Sequence, residues 1–558
     1  MRPEIREKGF MLLVWTTLGL WVLACAWFPL TDSDIWWHLA SAKLMWARQA
    51  FLRADPFCLV SLGAPWIDLH WGFQVLAYAA WKWGGAHALV AGKALALMGA
   101  VFLVLLPNME RRTAYALAPL AAFGCYHIRL WVDVRPLALT LLGLSLQYAV
   151  VMAYLQGRLR RPWAFLIPIQ VVLVNLQGLY PLGAVLVTCL TLGERLTPFG
   201  SPSPAESTRR WKTLAWASLA MWLAGFINPY GWQGFRLPLA LLGRIAPLPG
   251  NIFSSEIAEN QPIFFLFRQD PRALAPFVLF FVAVLFTFDR ARRRTDAGHA
   301  LVFVAFAVLG LMAQRNLPLA FLAGLMAAGR NLQVSLEWAP RTRLPWRMAG
   351  WVALAVIPLF YGPRLYAAWD YELDNSMETP FRFPSGAVAY LQAHPLPGNI
   401  FNELRFGGYL TYRLYPSKLS FVDGRMIVRG EAFYREFLDI IDRPSGFPEY
   451  RLQYGITHVL LPIGEDKRFV PLLGYLLRRG DWKLLHCDGA SALLAEAGLV
   501  KSLELSLDSL PFGHPVREAL RIRFASNPRL ETLATLNLSG LLLEAGQSRA
   551  ALDLRGKP

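Results

Sequence analysis

The sequence predicts a mainly α-helical polytopic membrane domain, followed by a smaller extracytoplasmic α/β domain and a short helical tail. Of its 558 residues, 55% are hydrophobic and only 17% are charged, and the mean hydropathy is +0.36. One water-soluble core cannot bury so much apolar surface, so lipid must cover part of it. Beyond Tyr371, charged residues and Gly/Pro positions divide the sequence into short amphipathic segments, which are typical of a water-facing domain.

Apolar runs long enough to cross a hydrocarbon core recur along the first two thirds of the chain. The clearest lie at 11–30, 86–106, 136–155, 212–227, 273–288 and 351–366. With the shorter runs between them, they predict about eleven or more spans within residues 1–369 and a first external loop at 31–85.

Basic residues set the predicted orientation of these spans. Clusters of Arg and Lys flank the apolar runs at 2–8, 111–112, 158–161, 209–212, 290–294 and 341–347. By the positive-inside rule these segments are cytoplasmic, which puts the N-terminus inside and the C-terminal domain outside the cytoplasmic (inner) membrane. The net charge of +17 does not indicate nucleic-acid binding, because the basic residues lie in loops and do not cover one soluble face.

The N-terminal segment has two interpretations. A basic stretch precedes an apolar run that ends at Cys25, which imitates a cleavable export signal or a lipoprotein box. We predict an uncleaved first span, because the most distinctive polar residues follow it directly.

Residues 370–498 form the predicted extracytoplasmic α/β domain. The expected elements are helices at 385–393, 431–441 and 469–479, strands at 399–402, 419–423 and 457–462, and a closing hairpin around Asp488–Gly489. Gly407–Gly408 and Asp423–Gly424–Arg425 would then lie at strand ends, where ligand sites often form. For residues 423–425 the alternative is a turn in which the acid bonds the backbone and the glycine takes a positive φ.

The tail at 499–558 has helical periodicity and resembles one truncated tetratricopeptide unit. Such a repeat needs a neighbour to bury its apolar face. We therefore expect it to pack on the α/β domain or on a partner.

Two acids, Asp32 and Asp34, follow the first apolar run and precede Trp36, Trp37 and His38. If Asp34 begins a helix, its carboxylate can cap that helix, and His38 lies on the same face four residues later. The pair could accept a proton from an attacking group or bind a divalent cation. The alternative is a simple helix cap beside an interfacial aromatic belt.

Arg315 and Asn316 interrupt two apolar stretches that leave room for only a turn. An arginine at such a position needs an anion or a water-filled cavity. Guanidinium groups suit phosphate through paired hydrogen bonds, so Arg135 and Arg315 are candidate ligands for the phosphate of a lipid carrier. Snorkelling of each arginine to lipid headgroups is the alternative. Other polar residues expected on the same side are Asn175, Gln177, Asn228, Tyr230 and Glu256.

These residues resemble the GT-C superfamily of integral membrane glycosyltransferases, and most of all relatives of the oligosaccharyltransferase catalytic subunit. Members begin with one span and an external loop with a D-x-D motif, which Asp32–Ser33–Asp34 matches. Further counterparts are Asp55–Pro56–Phe57, Pro65–Trp66, Arg135–Pro136, Asn175–Leu176–Gln177–Gly178, Asn228–Pro229–Tyr230–Gly231 and Arg315–Asn316–Leu317–Pro318.

The soluble part is similar to the family's acceptor-recognising core at 402–410 and 419–425. Gly407 keeps the glycine of the family's W-W-D-Y-G motif, but the tryptophan pair and the aspartate are absent. Gln177 replaces a frequent histidine, and His70 stands where an acid is common. The resemblance therefore does not extend to recognition of an asparagine sequon.

The resemblance implies an enzyme that transfers a sugar or oligosaccharide from a polyprenyl-phosphate-linked donor to an extracytoplasmic protein, lipid or glycan. Asp34 would be the base or metal ligand, assisted by Asp32 and His38. Asp32 and Asp34 would hold a divalent cation, Mg²⁺ or Mn²⁺. Arg135, Arg315 and Asn316 would bind the donor phosphate. The remaining residues of the expected cavity and acceptor site are Asn175, Gln177, Asn228, Tyr230, Glu256, Glu403, Arg405, Asp423 and Arg425.

Two other classes of function stay open from the sequence. A catalytically silent scaffold of an envelope assembly would use the external domain and the tail to recruit partners. A transporter or flippase for a lipid-linked substrate would also need an arginine-lined cavity. Transporters usually contain related halves, and this sequence shows no internal repeat.

Overall fold

The computed structural model describes residues 3–200, 202–245, 250–269, 271–337, 344–372, 377–379, 381–425, 428–464, 467–502, 520–521 and 527–555. The chain divides into two compact units. The membrane unit comprises Met1–Phe28 and Ile67–Ala368, and the α/β unit comprises Pro29–Trp66 and Trp369–Pro558. The α/β unit includes residues 31–66 of the predicted external loop at 31–85, and the predicted domain bounds stay a prediction.

The membrane unit is built from helices. Its elements are α1 Pro3–Ala26, α3 Trp71–Leu105, α4 Arg111–Ile128, α5 Pro136–Leu155, α6 Trp163–Val174, α7 Pro181–Leu196, α8 Pro204–Ala224, α9 Trp232–Ile245, α10 Ile252–Ser255, α11 Phe264–Gln269, α12 Pro271–Ala291, α13 Ala297–Met312, α14 Leu317–Glu337 and α15 Leu344–Glu372. Helix α13 packs on α7 and α14, and α3 packs on α5.

Four helices of the described residues are long and apolar enough to cross a membrane, at Lys8–Ala26, Trp71–Leu105, Pro136–Leu155 and Pro271–Ala291. Shorter apolar helices lie at Trp163–Val174, Ala297–Met312 and Val352–Ala368. The chain is thus a membrane protein, and the count of about eleven spans stays a prediction. Helix α3 contains a kink at Gly84–Gly85, where Gly85 has a φ of 59°, and this kink separates residues 71–83 from the apolar run that begins at Ala86.

Glycines allow helices α7 and α13 of the membrane unit to approach each other closely. A Cβ on Gly193 of α7 would overlap the Cα of Gly298 in α13. Nearby, Asp296 caps α13 by accepting from the backbone N–H of His299 at 3.1 Å, and the hydroxyl of Tyr148 lies 3.0 Å from His299 Nε2.

The α/β unit contains a four-stranded mixed sheet. Its strands are β1 Asn399–Asn402, β2 Ile456–Pro462, β3 Trp482–Cys487 and β4 Ser491–Glu496. The order is β1-β2-β4-β3, with β1 parallel to β2 and the other pairs antiparallel. Its helices are α2 Asp34–Arg48, α16 Ser385–Ala393, α17 Leu404–Leu414, α18 Glu431–Asp442, α19 Phe447–Tyr454, α20 Val470–Arg479, α21 Ala497–Ser502, α22 Pro528–Glu544 and α23 Ser548–Arg555.

Most predicted elements of this unit are present, but one strand is not. Residues 419–423 lie in a loop that makes a single bridge, between Ser420 and Cys58. Gly407 and Gly408 lie inside α17, so they do not mark a strand end as predicted. The strand prediction was wrong because the apolar Phe421 and Val422 are buried by packing and not by a sheet ladder.

The described part of the tail forms the helix pair α22 and α23. Helix α22 packs on α20, and Asn537 Nδ2 donates to the carbonyl of Gly489 at 3.0 Å. The tail therefore packs on the α/β domain, as expected. Its likeness to a tetratricopeptide unit stays a prediction, and residues 503–519 and 522–526 of the tail lie outside the described residues.

We expect Gly193→Ala to lower the free energy of unfolding by about 1–3 kcal/mol, because α7 and α13 must move apart to admit the methyl group. The measurement is the thermal unfolding midpoint of the full chain in detergent. Gly92→Ala is the matched control, since a Cβ there would meet open space. Equal midpoints for the two variants would contradict the close contact.

Candidate functional site

In the membrane unit, three charged side chains come together where helices end. Arg135 directly precedes Pro136, the first residue of α5. Arg315 lies in the single turn Gln314–Asn316 between α13 and α14, as predicted. Glu259 lies in the turn Ala258–Asn260, and a hydrogen bond of 3.0 Å from the N–H of Gln314 to the carbonyl of Gln261 joins the two turns.

Glu259 is the common partner of both arginines. Arg135 Nη1 donates to Glu259 Oε2, and Arg315 Nη1 lies 3.9 Å from Oε1. Burial raises the pKa of Glu259, but the two guanidinium groups outweigh it and hold that pKa below its ordinary value. About a third of each side chain is exposed. The two guanidinium groups are therefore accessible, and guanidinium groups form charge-assisted hydrogen bonds with phosphate.

A buried lysine lies in the same unit and was missed by the sequence analysis. Lys93 of α3 is 4% exposed. Its Nζ lies 3.9 Å from Asp133 Oδ1, 3.4 Å from the carbonyl of Phe28 and 3.2 Å from the centroid of the Phe28 ring. Its position inside an apolar run was the available signal, because a lysine at membrane depth needs a partner.

Several predicted cavity residues make hydrogen bonds to the backbone. Asn175 donates to the carbonyls of Val171 at 2.9 Å and Ile227 at 2.8 Å. Asn228 accepts from the N–H of Tyr230 at 2.8 Å, and Asn316 donates to the carbonyl of Leu309 at 3.1 Å. These amides support helix ends and turns.

The other predicted wall residues of the membrane unit have different surroundings. Gln177 accepts a hydrogen bond from the Thr140 hydroxyl. Tyr230 is buried in an apolar cluster with Leu173 and Tyr180. Glu256 is exposed, three residues before the acid that contacts both arginines.

Asp68 is a further acid that the sequence analysis passed over. It is fully buried, accepts from Gln74 Nε2 at 2.7 Å and from the backbone N–H of His70 at 3.1 Å. Its Oδ1 also lies 3.4 Å from His70 Nδ1. A buried acid therefore orients the imidazole at the start of α3.

In the α/β unit, the D-x-D acids have distinct positions. Asp32 Oδ1 accepts from the backbone N–H of Asp34 at 3.1 Å. Asp34 is the first residue of α2, and its carboxylate lies against Gly424, where a Cβ would be 3.4 Å from Asp34 Cγ and would overlap Oδ1. His38 follows in the same helix and is buried, with its ring centroid 3.6 Å from that of Trp37 and the two rings tilted by 35°. Asp32 thus supports the helix start, and Asp34 faces the 423–425 turn.

A buried ion cluster holds that turn. Arg425 Nη2 donates to Asp55 Oδ1 at 2.8 Å, and Arg425 Nε donates to Asp423 Oδ2 at 2.8 Å. Arg429 Nη2 donates to Asp423 Oδ1 at 3.3 Å, and the Arg425 guanidinium lies 4.5 Å from the centroid of the Trp66 ring. Burial raises the pKa of Asp423, but the opposing effect of Arg425 and Arg429 is larger and holds that pKa below its ordinary value.

The turn itself follows the alternative given in the sequence analysis, with one difference. Asp423 Oδ1 accepts from the backbone N–H of Arg425 at 3.1 Å. Gly424 has no positive φ, so it is required by the close approach of Asp34 and not by backbone conformation.

Glu403 and Arg405 pair with each other at the start of α17. Glu403 accepts from the backbone N–H of Arg405 at 2.9 Å and from its Nε at 3.0 Å. Glu403 is thus the N-cap of that helix.

Among the described residues, no group of three or more His, Cys, Asp or Glu side chains lies close enough to hold a metal ion. Asp32 and Asp34 would supply two carboxylates. Mg²⁺ can be held by one or two carboxylates with water and substrate phosphate as its other ligands. The predicted Mg²⁺ or Mn²⁺ at Asp32 and Asp34 stays a prediction.

We expect Glu259→Gln to remove a pH-dependent part of the stability. Because the pKa of Glu259 is depressed in the fold, its stabilising effect is present above the ordinary value of 4.5 and is lost as pH falls through the folded pKa. The unfolding midpoint of the wild type should exceed that of the variant at neutral pH, and the gap should close in acid. Glu449→Gln, at an exposed carboxylate, is the control, and a gap independent of pH would contradict the ion pairing.

Solved structures of oligosaccharyltransferases and of ArnT align with most of this chain. The apo oligosaccharyltransferase from Archaeoglobus fulgidus aligns with a TM-score of 0.50 and 13% identity, over 83% of this chain and 71% of that chain. The archaeal oligosaccharyltransferase AglB from the same organism, in complex with an inhibitory peptide and a dolichol-phosphate, aligns at 0.49 and 12%, over 84% and 71%. ArnT from Cupriavidus metallidurans, bound to undecaprenyl phosphate, aligns at 0.48 and 12%, over 88% and 99%.

No protein-family model matches the sequence, and no curated protein matches it. At 13% identity the structural likeness concerns the fold alone. The resemblance expected from the sequence is confirmed at that level, because the chain has the fold of the oligosaccharyltransferase.

Proposed function

We propose that this chain transfers a sugar or oligosaccharide from a polyprenyl-phosphate-linked donor to a protein, lipid or glycan acceptor outside the cytoplasmic membrane. The observation that carries the proposal is the Arg135–Glu259–Arg315 cluster, in a chain with the fold of an oligosaccharyltransferase. The orientation follows the positive-inside rule, with the N-terminus cytoplasmic and the α/β unit extracytoplasmic.

The arginine cluster supports binding of a lipid phosphate. Arg135 lies at the N-terminus of α5, which is long and apolar enough to cross a membrane. The helix dipole at that end adds to the attraction for an anion. The carrier's apolar chain would stay in the bilayer, while its phosphate accepts hydrogen bonds from the two guanidinium groups.

Asp34 is the proposed base. Its carboxylate would accept the proton of the acceptor's nucleophilic group, as that group forms a bond to the anomeric carbon of the donor. The bond between that carbon and the phosphate oxygen breaks, and its electron pair leaves on the polyprenyl phosphate. Arg135 and Arg315 would stabilise the charge that develops on this leaving group. In the alternative role, Asp34 would instead hold a divalent cation together with Asp32, and that cation would supply further positive charge to the phosphate.

We expect Asp34→Asn to lower kcat by about 100- to 10,000-fold, because the amide cannot accept the proton. The assay follows release of polyprenyl phosphate by the purified full chain from a panel of radiolabelled undecaprenyl-phosphate sugars, with an envelope extract as the acceptor source. Asp439→Asn, at a carboxylate on the exposed part of α18, is the control and should keep the wild-type rate. A wild-type rate for Asp34→Asn would remove Asp34 from the chemistry.

We expect Arg315→Ala to raise KM for the undecaprenyl-phosphate sugar about tenfold or more, since a hydrogen bond to a charged group contributes about 1.5–3 kcal/mol. Arg158→Ala removes an exposed arginine from a predicted cytoplasmic loop and should leave KM unchanged. Equal KM values for both variants would argue against a phosphate site at Arg315.

A further inference from the structure

We propose that Gly424 and the Asp55–Arg425–Asp423 ion cluster form a rigid seat that positions the Asp34 carboxylate. This inference rests on the proposed function, in which Asp34 is the base. It assigns Gly424 and Arg425 to positioning, and not to contact with donor or acceptor.

Three glycines bring the backbone of the α/β unit against the start of α2. A Cβ on Gly424 would overlap Asp34 Oδ1. A Cβ on Gly408 would lie 3.0 Å from the carbonyl oxygen of Ser33 and 3.2 Å from the N of Trp37. A Cβ on Gly407 would overlap the carbonyl oxygen of Val422. Helix α17, the 422–424 backbone and the first turn of α2 therefore pack closely at these three glycines, with no room for a Cβ at Gly407 and Gly424 and little room at Gly408.

The seat cannot readily shift, because fully buried charges fix it. The side chains of Asp55 and Asp423 are 0% exposed and that of Arg425 is 1% exposed. Arg425 links residues on both sides of the seat, since Asp55 belongs to the segment that follows α2 and Asp423 directly precedes Gly424. Moving Gly424 away from Asp34 would stretch these charged hydrogen bonds in a site with little water to replace them.

Backbone hydrogen bonds also join the segment after α2 to the loop at Ser420. The backbone N–H of Leu59 donates to the carbonyl of Ser420 at 2.8 Å, and the N–H of Ser420 donates to the carbonyl of Phe57 at 3.2 Å. Residues 55–59 and 420–425 are thus held by backbone and side-chain bonds together. A side chain added at Gly424 must displace the Asp34 carboxylate, because the backbone cannot yield.

The test compares Gly424→Ala with the wild type in the full chain. We expect a fall of about 100-fold in kcat with KM for the undecaprenyl-phosphate sugar unchanged, since an active-site group displaced by about 1 Å can lose that factor. The pH–rate profile should also shift, because the environment of the base changes. Gly498→Ala, where a Cβ meets open space, is the control and should keep both parameters and the wild-type unfolding midpoint.

If Gly424→Ala does not accumulate in the membrane, Gly408→Ala provides the test. It adds a methyl group inside helix α17 and moves the first turn of α2 by a few tenths of an ångström. A smaller fall in kcat, again without a change in KM, is expected. Wild-type kcat and pH profile in the variant that folds would overturn the seat.

Asp34→Asn separates this inference from the proposed function. If Asp34→Asn abolishes transfer while Gly424→Ala behaves like Gly498→Ala, the inferred positioning by Gly424 is wrong, and Asp34 remains the proposed base. If Asp34→Asn keeps the wild-type rate, the proposed base fails and the seat fails with it.

Discussion

A guanidinium group that leaves water must keep a carboxylate beside it, because removing one partner of a buried ion pair costs about 3–5 kcal/mol. In the α/β unit this requirement joins Arg425 to Asp55, 370 positions away in the sequence, and to its near neighbour Asp423. In the membrane unit it joins Arg135 and Arg315 to Glu259. The two clusters differ in accessibility: the side chains of the first are buried, whereas about a third of each side chain in the second is exposed.

The two clusters would therefore have different roles in the proposed reaction. The buried cluster of Arg425, Arg429, Asp55 and Asp423 is suited to holding a turn in place. The exposed guanidinium groups of Arg135 and Arg315 are suited to receiving an anion. The proposed base, Asp34, lies against Gly424, next to the buried cluster. The proposed phosphate contacts, Arg135 and Arg315, belong to the exposed cluster.

Local pattern was enough to predict much of the fold. The helix at Ser385–Ala393 and the strand at Asn399–Asn402 have the predicted bounds, because periodicity and flanking turn residues act over a few residues. The prediction of a strand at 419–423 was wrong, because a loop buried by side-chain packing has the same kind of apolar run as a strand in a sheet. The single turn at Arg315 followed from the short space between two apolar stretches.

The candidate site was harder to predict because its pairs are distant in sequence. Glu256 and Glu259 are both loop acids, and only the fold shows which one meets the arginines. Asp32 and Asp34 look equivalent in the motif, yet the first bonds the backbone of the helix start and the second contacts Gly424. The role of Gly424 depends on a contact with a helix that begins 390 positions earlier, which no local pattern records.

The central claim is that the chain transfers sugar from a lipid phosphate, and labelling of the cell envelope tests it most directly. A deletion strain would receive the wild-type chain, the Asp34→Asn chain at equal membrane abundance, or no chain, and labelled polyprenyl-linked sugars would be supplied to each. Our account predicts a labelled envelope product with the wild-type chain and its loss in the other two strains. The same product in all three strains would contradict a transferase and favour a scaffold.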